Sequence, residues 1–189
     1  MEKLRVGLAL TGSYCTYEKV LSAAERLAAR YDLTAIMSET AYKTDSRFGA
    51  AADFAARLER ITGKDVLHSI VEVEPVGPKD WFDVLVIAPC TGNTLAKLAA
   101  GITDSSVTMA AKSHLRGGKP LLIAFGSNDG LSASARNIGE MLNRKNVYFV
   151  PFYQDDPEQK PRSLASDYSL LEDAIEKAYE GKQIQPILT

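Results

Sequence analysis

The sequence is poor in the residues that most often mark a metal or nucleophilic centre. Its 189 residues hold two cysteines, Cys15 and Cys90, and two histidines, His68 and His114. The cysteines form no close-spaced pair and the histidines show no ligand spacing, so no metal site is expected. No run approaches the roughly 18 apolar residues of a membrane span. The opening run Val6–Leu10 passes at once into Thr11-Gly12-Ser13, which reads as a buried first strand and not as a signal peptide. A large charge of either sign is also missing. The formal net charge is -2, which gives no general electrostatic footprint for nucleic acid. Repeats and low-complexity stretches are absent as well. A single domain over residues 1–189, in the cytoplasm, is the expectation.

What is present is an alternation of strand-like and helix-like segments. Leu4–Leu10, Leu33–Met37, Val66–Glu74, Asp83–Ala88, Pro120–Phe125 and Val147–Phe152 read as strands. Asp83–Ala88, with the sequence DVLVIA, is a continuous apolar run, as a central parallel strand covered on both faces requires. Between the strands, Val20, Ala24, Leu27, Ala28 and Tyr31 share one helical face, as do Phe48, Ala51, Phe54, Ala55, Leu58 and Ile61 before a C-capping Gly63. Further helices fit Thr94–Ala100, Val107–Leu115, Ser134–Asn143 and Asp167–Tyr179. The pattern predicts an α/β fold: a three-layer, Rossmann-like (flavodoxin-like) parallel sheet of about six strands with helices on both faces. Ligands of such sheets bind beyond the carboxyl ends of the strands, so the loops there are the ones to read.

The loop after the first strand, Thr11 through Glu18, opens directly into a helix. Gly12 permits close backbone approach, Ser13 and Thr16 offer hydroxyls, and the free N–H groups favour an anion. It carries neither the Gly-Lys-Ser/Thr of a P-loop nor the GxGxxG of a dinucleotide site. Simple helix capping by Ser13 or Thr16 explains the same residues. Ser38, after the second strand, supplies another hydroxyl-bearing turn. The richest segment runs from Asp83 to Asp104, where a buried strand ends at Pro89 and Thr91, Gly92, Asn93 and Thr94 precede a helix. Their side chains suit a phosphate, a polyol chain or a ring edge.

That string, strand–Pro–x–Thr–Gly–Asn–Thr–Leu–Ala–Lys–x–Ala–x–Gly–x–x–Asp, resembles the signature of the flavin-containing cysteine decarboxylase-like group. The group's motif usually reads Pro-Ala-Ser/Thr-Ala-Asn-Thr, with Cys90 and Gly92 here in place of its two alanines. The resemblance implies FMN, held by Gly12, Ser13, Thr16 and Ser38 on the phosphate side. Pro89, Asn93 and Thr94 would hold its ribityl chain or ring, with Thr91 and Asp104 also among the cofactor-binding residues. Trimers or multiples of trimers are the group's usual assemblies, so a homo-oligomer is implied too.

A narrower resemblance spans nearly the whole chain. The strings TGSYCTYE, TDSRFG, EPVGPK, TDSSVTMAAK, SNDGLS, KNVYFVPFYQDDPEQKP and QIQPIL are similar to the B-subunit family of dipicolinate synthase. That family implies a partner A subunit carrying NADP. The pair would oxidise a dihydrodipicolinate-type precursor to pyridine-2,6-dicarboxylate in the mother cell of a spore former.

Decarboxylase chemistry itself fits poorly. The group's histidine before the central strand has no clean counterpart, with His68 reaching the position only through an insertion. The group's Pro-Ala-Met-Asn clamp is replaced by Gly126-Ser127-Asn128-Asp129. His68, Asn128 and Asp129 stand as catalytic candidates. His114, late in a helix between Lys112 and Arg116, is expected to be a surface charge-compensating residue. A dicarboxylate requires cationic or donor partners. Lys43, Lys112, Arg136, Lys160 and Arg162 are possible cations, and Arg47 is preferred for the fork of its guanidinium, with Ser127 and Asn128 beside it. Cys15 and Cys90 are expected to line one pocket if their strands are neighbours. The alternatives left open are an autonomous FMN-dependent decarboxylase and a non-catalytic binding subunit with a relic flavin pocket.

Overall fold

The computed structural model describes residues 3–189. Its five-stranded sheet is wholly parallel, in the order β2-β1-β3-β4-β5. The strands are β1 (Arg5–Leu10), β2 (Asp32–Met37), β3 (Val84–Cys90), β4 (Leu121–Phe125) and β5 (Val147–Phe149). Helices α1 (Tyr17–Arg30), α2 (Glu39–Lys43), α3 (Ala51–Thr62), α4 (Ile70–Val73), α5 (Gly92–Ala100), α6 (Ser106–Arg116), α7 (Ala135–Leu142) and α8 (Leu171–Tyr179) lie between and after them. This is the flavodoxin-like order, in which strand succession reverses between β1 and β3.

Alternation along the strands separates two cores. Val6, Leu8 and Leu10 of β1 join Val84, Val86 and Ala88 of β3 under α1, α3 and α8. Leu85 and Ile87 of β3 join Leu121, Ile123 and Phe125 of β4 under α4 to α7. The central strands β3 and β4 are therefore buried along their whole length, because both of their faces are covered. Gly7 is required by this packing, since a β-carbon there would stand 2.7 Å from the Phe82 ring. Among the described residues no helix is long and apolar enough to cross a membrane.

The strand count is the main correction. The expected third strand, Val66–Glu74, contributes one parallel bridge, Leu67 to Ile36, and then turns into α4. The cause is local: Ser69 and Glu72 form a reciprocal capping box that starts a helix where alternation suggests a strand. The expected last strand, Val147–Phe152, divides. Val147–Phe149 stays in the sheet, while β6 (Phe152–Tyr153) pairs antiparallel with β7 (Ala165–Ser166). Gly63 and Gly101 end α3 and α5 in the left-handed conformation, at φ 69° and 73°.

Candidate functional site

The carboxyl ends of β1, β2 and β3 open onto a cleft of about 420 Å³, at the reversal of strand order. This volume falls in the usual range for small-molecule sites, roughly 300–1,000 Å³. Thr11 and Gly12 line it from the loop after β1, with Ser38, Glu39 and Thr40 from the start of α2. Thr91, Asn93, Thr94 and Lys97 come from the start of α5, and Asp104 and Ser105 from the approach to α6.

Side-chain and backbone bonds tie these loops together. Thr11 donates through its N–H and its hydroxyl to the Pro89 carbonyl, at 3.3 and 2.7 Å, and its hydroxyl accepts the Thr91 N–H at 3.1 Å. Pro89 is thus a buried backbone anchor between the two loops and does not line the cleft. The Ser38 hydroxyl caps α2 through the Ala41 N–H, and the Thr91 hydroxyl caps α5 through the Thr94 N–H. Hydrogen bonds hold the charged side chains of the cleft in place. Lys97 Nζ lies 2.9 Å from both oxygens of Asp104. Glu39 accepts the Ser106 N–H at 3.0 and 3.1 Å, so its carboxylate closes the N-terminus of α6. The side-chain amide of Asn93 and the backbone N–H of Gly12 have no partner among the described residues and remain as donors for a ligand.

Six of the nine expected cofactor-side residues line this cleft: Gly12, Ser38, Thr91, Asn93, Thr94 and Asp104. Thr16 is turned back on its own loop, its hydroxyl donating to the Ser13 carbonyl at 2.7 Å. The Ser13 hydroxyl stands 3.9 Å from the Cys15 sulfur. Glu39, Thr40, Lys97 and Ser105 join the lining without having been expected there. Lys97 alone carried a sequence signal, lying one turn after Thr94 on the same helical face.

A second polar group adjoins the cleft behind Gly92. Hydroxyls of Ser127 and Ser134 both donate to Asp129 Oδ1, the latter at 2.9 Å. These bonds hold the Asp129 carboxyl below the ordinary carboxylate range, so it is charged at neutral pH. Gly92 makes room for the group: a β-carbon there would lie 3.1 Å from Ser127 Oγ and 3.2 Å from Asp129 Oδ1. Asn128 is exposed, its Oδ1 accepting the Ser163 hydroxyl at 3.3 Å.

The other expected residues lie elsewhere. Arg47 is exposed, its guanidinium 4.9 Å from the Phe48 ring centre, and it does not line the cleft. His68 stacks on Tyr42 with ring centres 3.8 Å apart, and its Nδ1 lies 3.2 Å from the Val66 carbonyl. His114 is not a surface residue. It is 1% exposed, with Nε2 3.0 Å from the Pro120 carbonyl, because the last turn of α6 faces the sheet. Burial holds its pKa down at about 4. The two cysteines do not share a pocket. The register shift between Ile87 and Cys90 returns Cys90 to the face of Leu85 and Ile87, where burial pushes its thiol pKa up. Cys15 is exposed on the first loop.

Comparison with known proteins agrees with this geometry. The model of the Flavoprotein family matches residues 1–159. The B subunit of dipicolinate synthase from Bacillus subtilis is 42% identical over 185 residues, covering 97% of this chain and 92% of that protein. The crystal structure of the corresponding B subunit from Bacillus halodurans superposes with a TM-score of 0.90 at 41% identity, over 100% of this chain and 98% of the other. The FMN-dependent cysteine decarboxylase SpaF shares the fold at a TM-score of 0.65 and 21% identity, over 93% and 97% of the two chains.

Proposed function

Because the chain belongs to the Flavoprotein family, we propose that it is the flavin-site subunit of a two-subunit dipicolinate synthase. It would act with an NADP-binding A subunit to oxidise a dihydrodipicolinate-type precursor to pyridine-2,6-dicarboxylate, in the cytoplasm of a sporulating mother cell. The observation that carries this reading is the 42% identity to a dipicolinate synthase B subunit over 97% of the chain. By its resemblance to the flavin-containing cysteine decarboxylase-like group, the chain would assemble as a homo-oligomer, a trimer or a multiple of one.

The cleft supports FMN as its occupant. The Gly12 N–H and the hydroxyls of Ser38 and Thr40 offer donors for a phosphate, while Asn93 and Thr94 face the place of a polyol chain or ring. Lys97 pairs with Asp104, and the Glu39 carboxylate is engaged by the Ser106 N–H at the start of α6. When bound, a flavin supplies two-electron redox chemistry. The chain's own residues orient it through the ends of α2 and α5. Neither histidine lines the cleft, which weighs against an autonomous decarboxylase.

The test is a visible spectrum of the purified chain during titration with FMN, followed by assay with and without the A subunit. Stoichiometric binding and a spectral response to substrate are expected. Pyridine dicarboxylate formation that depends on this chain without any FMN binding would instead make the cleft a relic.

A further inference from the structure

A second cavity, of about 210 Å³, lies between the end of α5, α6 and α7 and shares no lining residue with the cleft. Leu98, Leu115 and Met141 give it an apolar floor, and Ile102, 47% exposed, stands at its rim. Two cations line it as well. Arg144 is committed to the fold: its guanidinium donates to the Leu98 and Ala99 carbonyls at 3.0 and 2.7 Å and lies 3.3 Å from Glu140. Lys112 is not. It lines the cavity from an exposed position on α6, and among the described residues its ammonium has no hydrogen-bond or ion-pair partner.

These features select a ligand. An apolar cavity of roughly 150 Å³ accepts benzene, so this one has room for a single ring bearing a small group. The ring would displace water from Leu98 and Met141, and a carboxylate on it would give Lys112 the partner it lacks. A second carboxylate would lie against the apolar floor without a partner, because the Arg144 guanidinium is already engaged by two carbonyls and Glu140. One ring with one carboxylate is the chemistry that fits.

The cavity and the cleft share a wall. Residues 101–103 line the cavity, and the next two, Asp104 and Ser105, line the cleft. This stretch is tied at both ends. The Ile102 N–H donates to the Lys97 carbonyl at 2.9 Å, and the Ser105 N–H donates to Thr108 Oγ1 at 3.1 Å. Lys97 lines the cleft and Thr108 the cavity, so displacement on one side is carried to the other.

We propose that this cavity is an effector site for a small aromatic monocarboxylate. Filling it presses the shared wall toward the cleft and weakens binding there, a consequence that rests on the FMN reading above.

Benzoate is the probe, with benzyl alcohol as its uncharged counterpart. Amide and methyl NMR of the purified chain should map benzoate onto Leu98, Ile102 and Met141. Benzyl alcohol should bind about tenfold more weakly, for want of a hydrogen bond to a charged group. Lys112→Gln, at an exposed position, should reduce benzoate affinity by a similar factor and leave benzyl alcohol unchanged. Saturating benzoate should weaken FMN binding about fivefold, and FMN should weaken benzoate binding equally. Benzoate shifts confined to other residues, equal affinities for the two probes, or unchanged benzoate binding in Lys112→Gln would overturn the site. An FMN affinity that ignores saturating benzoate would overturn the communication. FMN that fails to bind even without benzoate would overturn the cofactor reading and the communication with it, while the benzoate map still decides the site.

Discussion

Gly92 and Ser134 depend on one another: a β-carbon on Gly92 would stand 2.8 Å from Ser134 Oγ. Real side chains do not approach so closely, so the group formed by Ser127, Asp129 and Ser134 occupies the space where the flavin decarboxylase-like motif has an alanine. Gly92→Ala should destabilise the protein by about 1–3 kcal/mol through overpacking. Ser134→Ala in the same chain should recover part of that loss. Urea denaturation of the two single variants and the double variant measures the coupling, and strictly additive losses would contradict the contact.

Asn93 and Thr91 separate ligand binding from folding. The Asn93 amide is exposed and has no partner among the described residues, so Asn93→Ala should leave thermal stability unchanged while weakening FMN binding about tenfold, the worth of one hydrogen bond. Thr91→Ala also removes the cap of α5, at a cost of about 1 kcal/mol. It should lower both stability and affinity. Flavin fluorescence titration beside thermal melts distinguishes the two patterns.

His114 makes stability depend on pH in a predictable direction. Its folded pKa, about 4, lies below the ordinary value of 6.5, so the native state binds fewer protons than the unfolded chain between these values. The contribution is complete above pH 6.5 and is lost as the pH falls toward 4, amounting to roughly 3 kcal/mol. Lys119 nearby lowers the pKa further, while Asp80, Asp83 and the Pro120 carbonyl raise it. His114→Gln should remove this acid-side slope, so that the native-minus-variant difference changes across that window, read from urea midpoints at several pH values. An identical acid slope in both proteins would count against burial of the neutral ring.

At the opposite end of the sheet, Asp83 ties β1 to β3. Its Oδ2 accepts the Arg5 backbone N–H at 3.0 Å, and its Oδ1 lies 2.7 Å from the Arg5 guanidinium. Asp83→Asn should cost about 1.5–3 kcal/mol, the worth of a hydrogen bond to a charged group, without affecting FMN affinity. Chemical denaturation and flavin titration of this variant provide the check.

Much of the architecture was legible because burial on both faces leaves a continuous apolar run, as in Val84–Ala88, and because Gly63 and Gly101 punctuate helices by backbone conformation. The cleft was legible where hydroxyl and amide residues follow a strand directly. What escaped was non-local or competitive. The capping box at Ser69 and Glu72 overrode a strand-like alternation that overlaps it. The bond from Glu39 to Ser106 joins residues 67 positions apart, and nothing local to either announces it. The face of Cys90 depended on a register shift that composition does not encode, and the inward turn of His114 on how α6 meets the sheet.

The departure of the chain from the sheet after Phe149 divides responsibility for the two sides of the site. The cleft's walls come from residues up to Ser105, within the span of the family model, whereas the loop of Asp129 is held by Arg162 and Leu164, beyond it. The Phe152 backbone in turn bonds to Ile187 and Thr189. Changes in this last stretch can therefore reposition the Asp129 loop while the cleft keeps its lining. The lining of the cleft and the anchoring of its neighbouring loop thus rest on separate stretches of the chain.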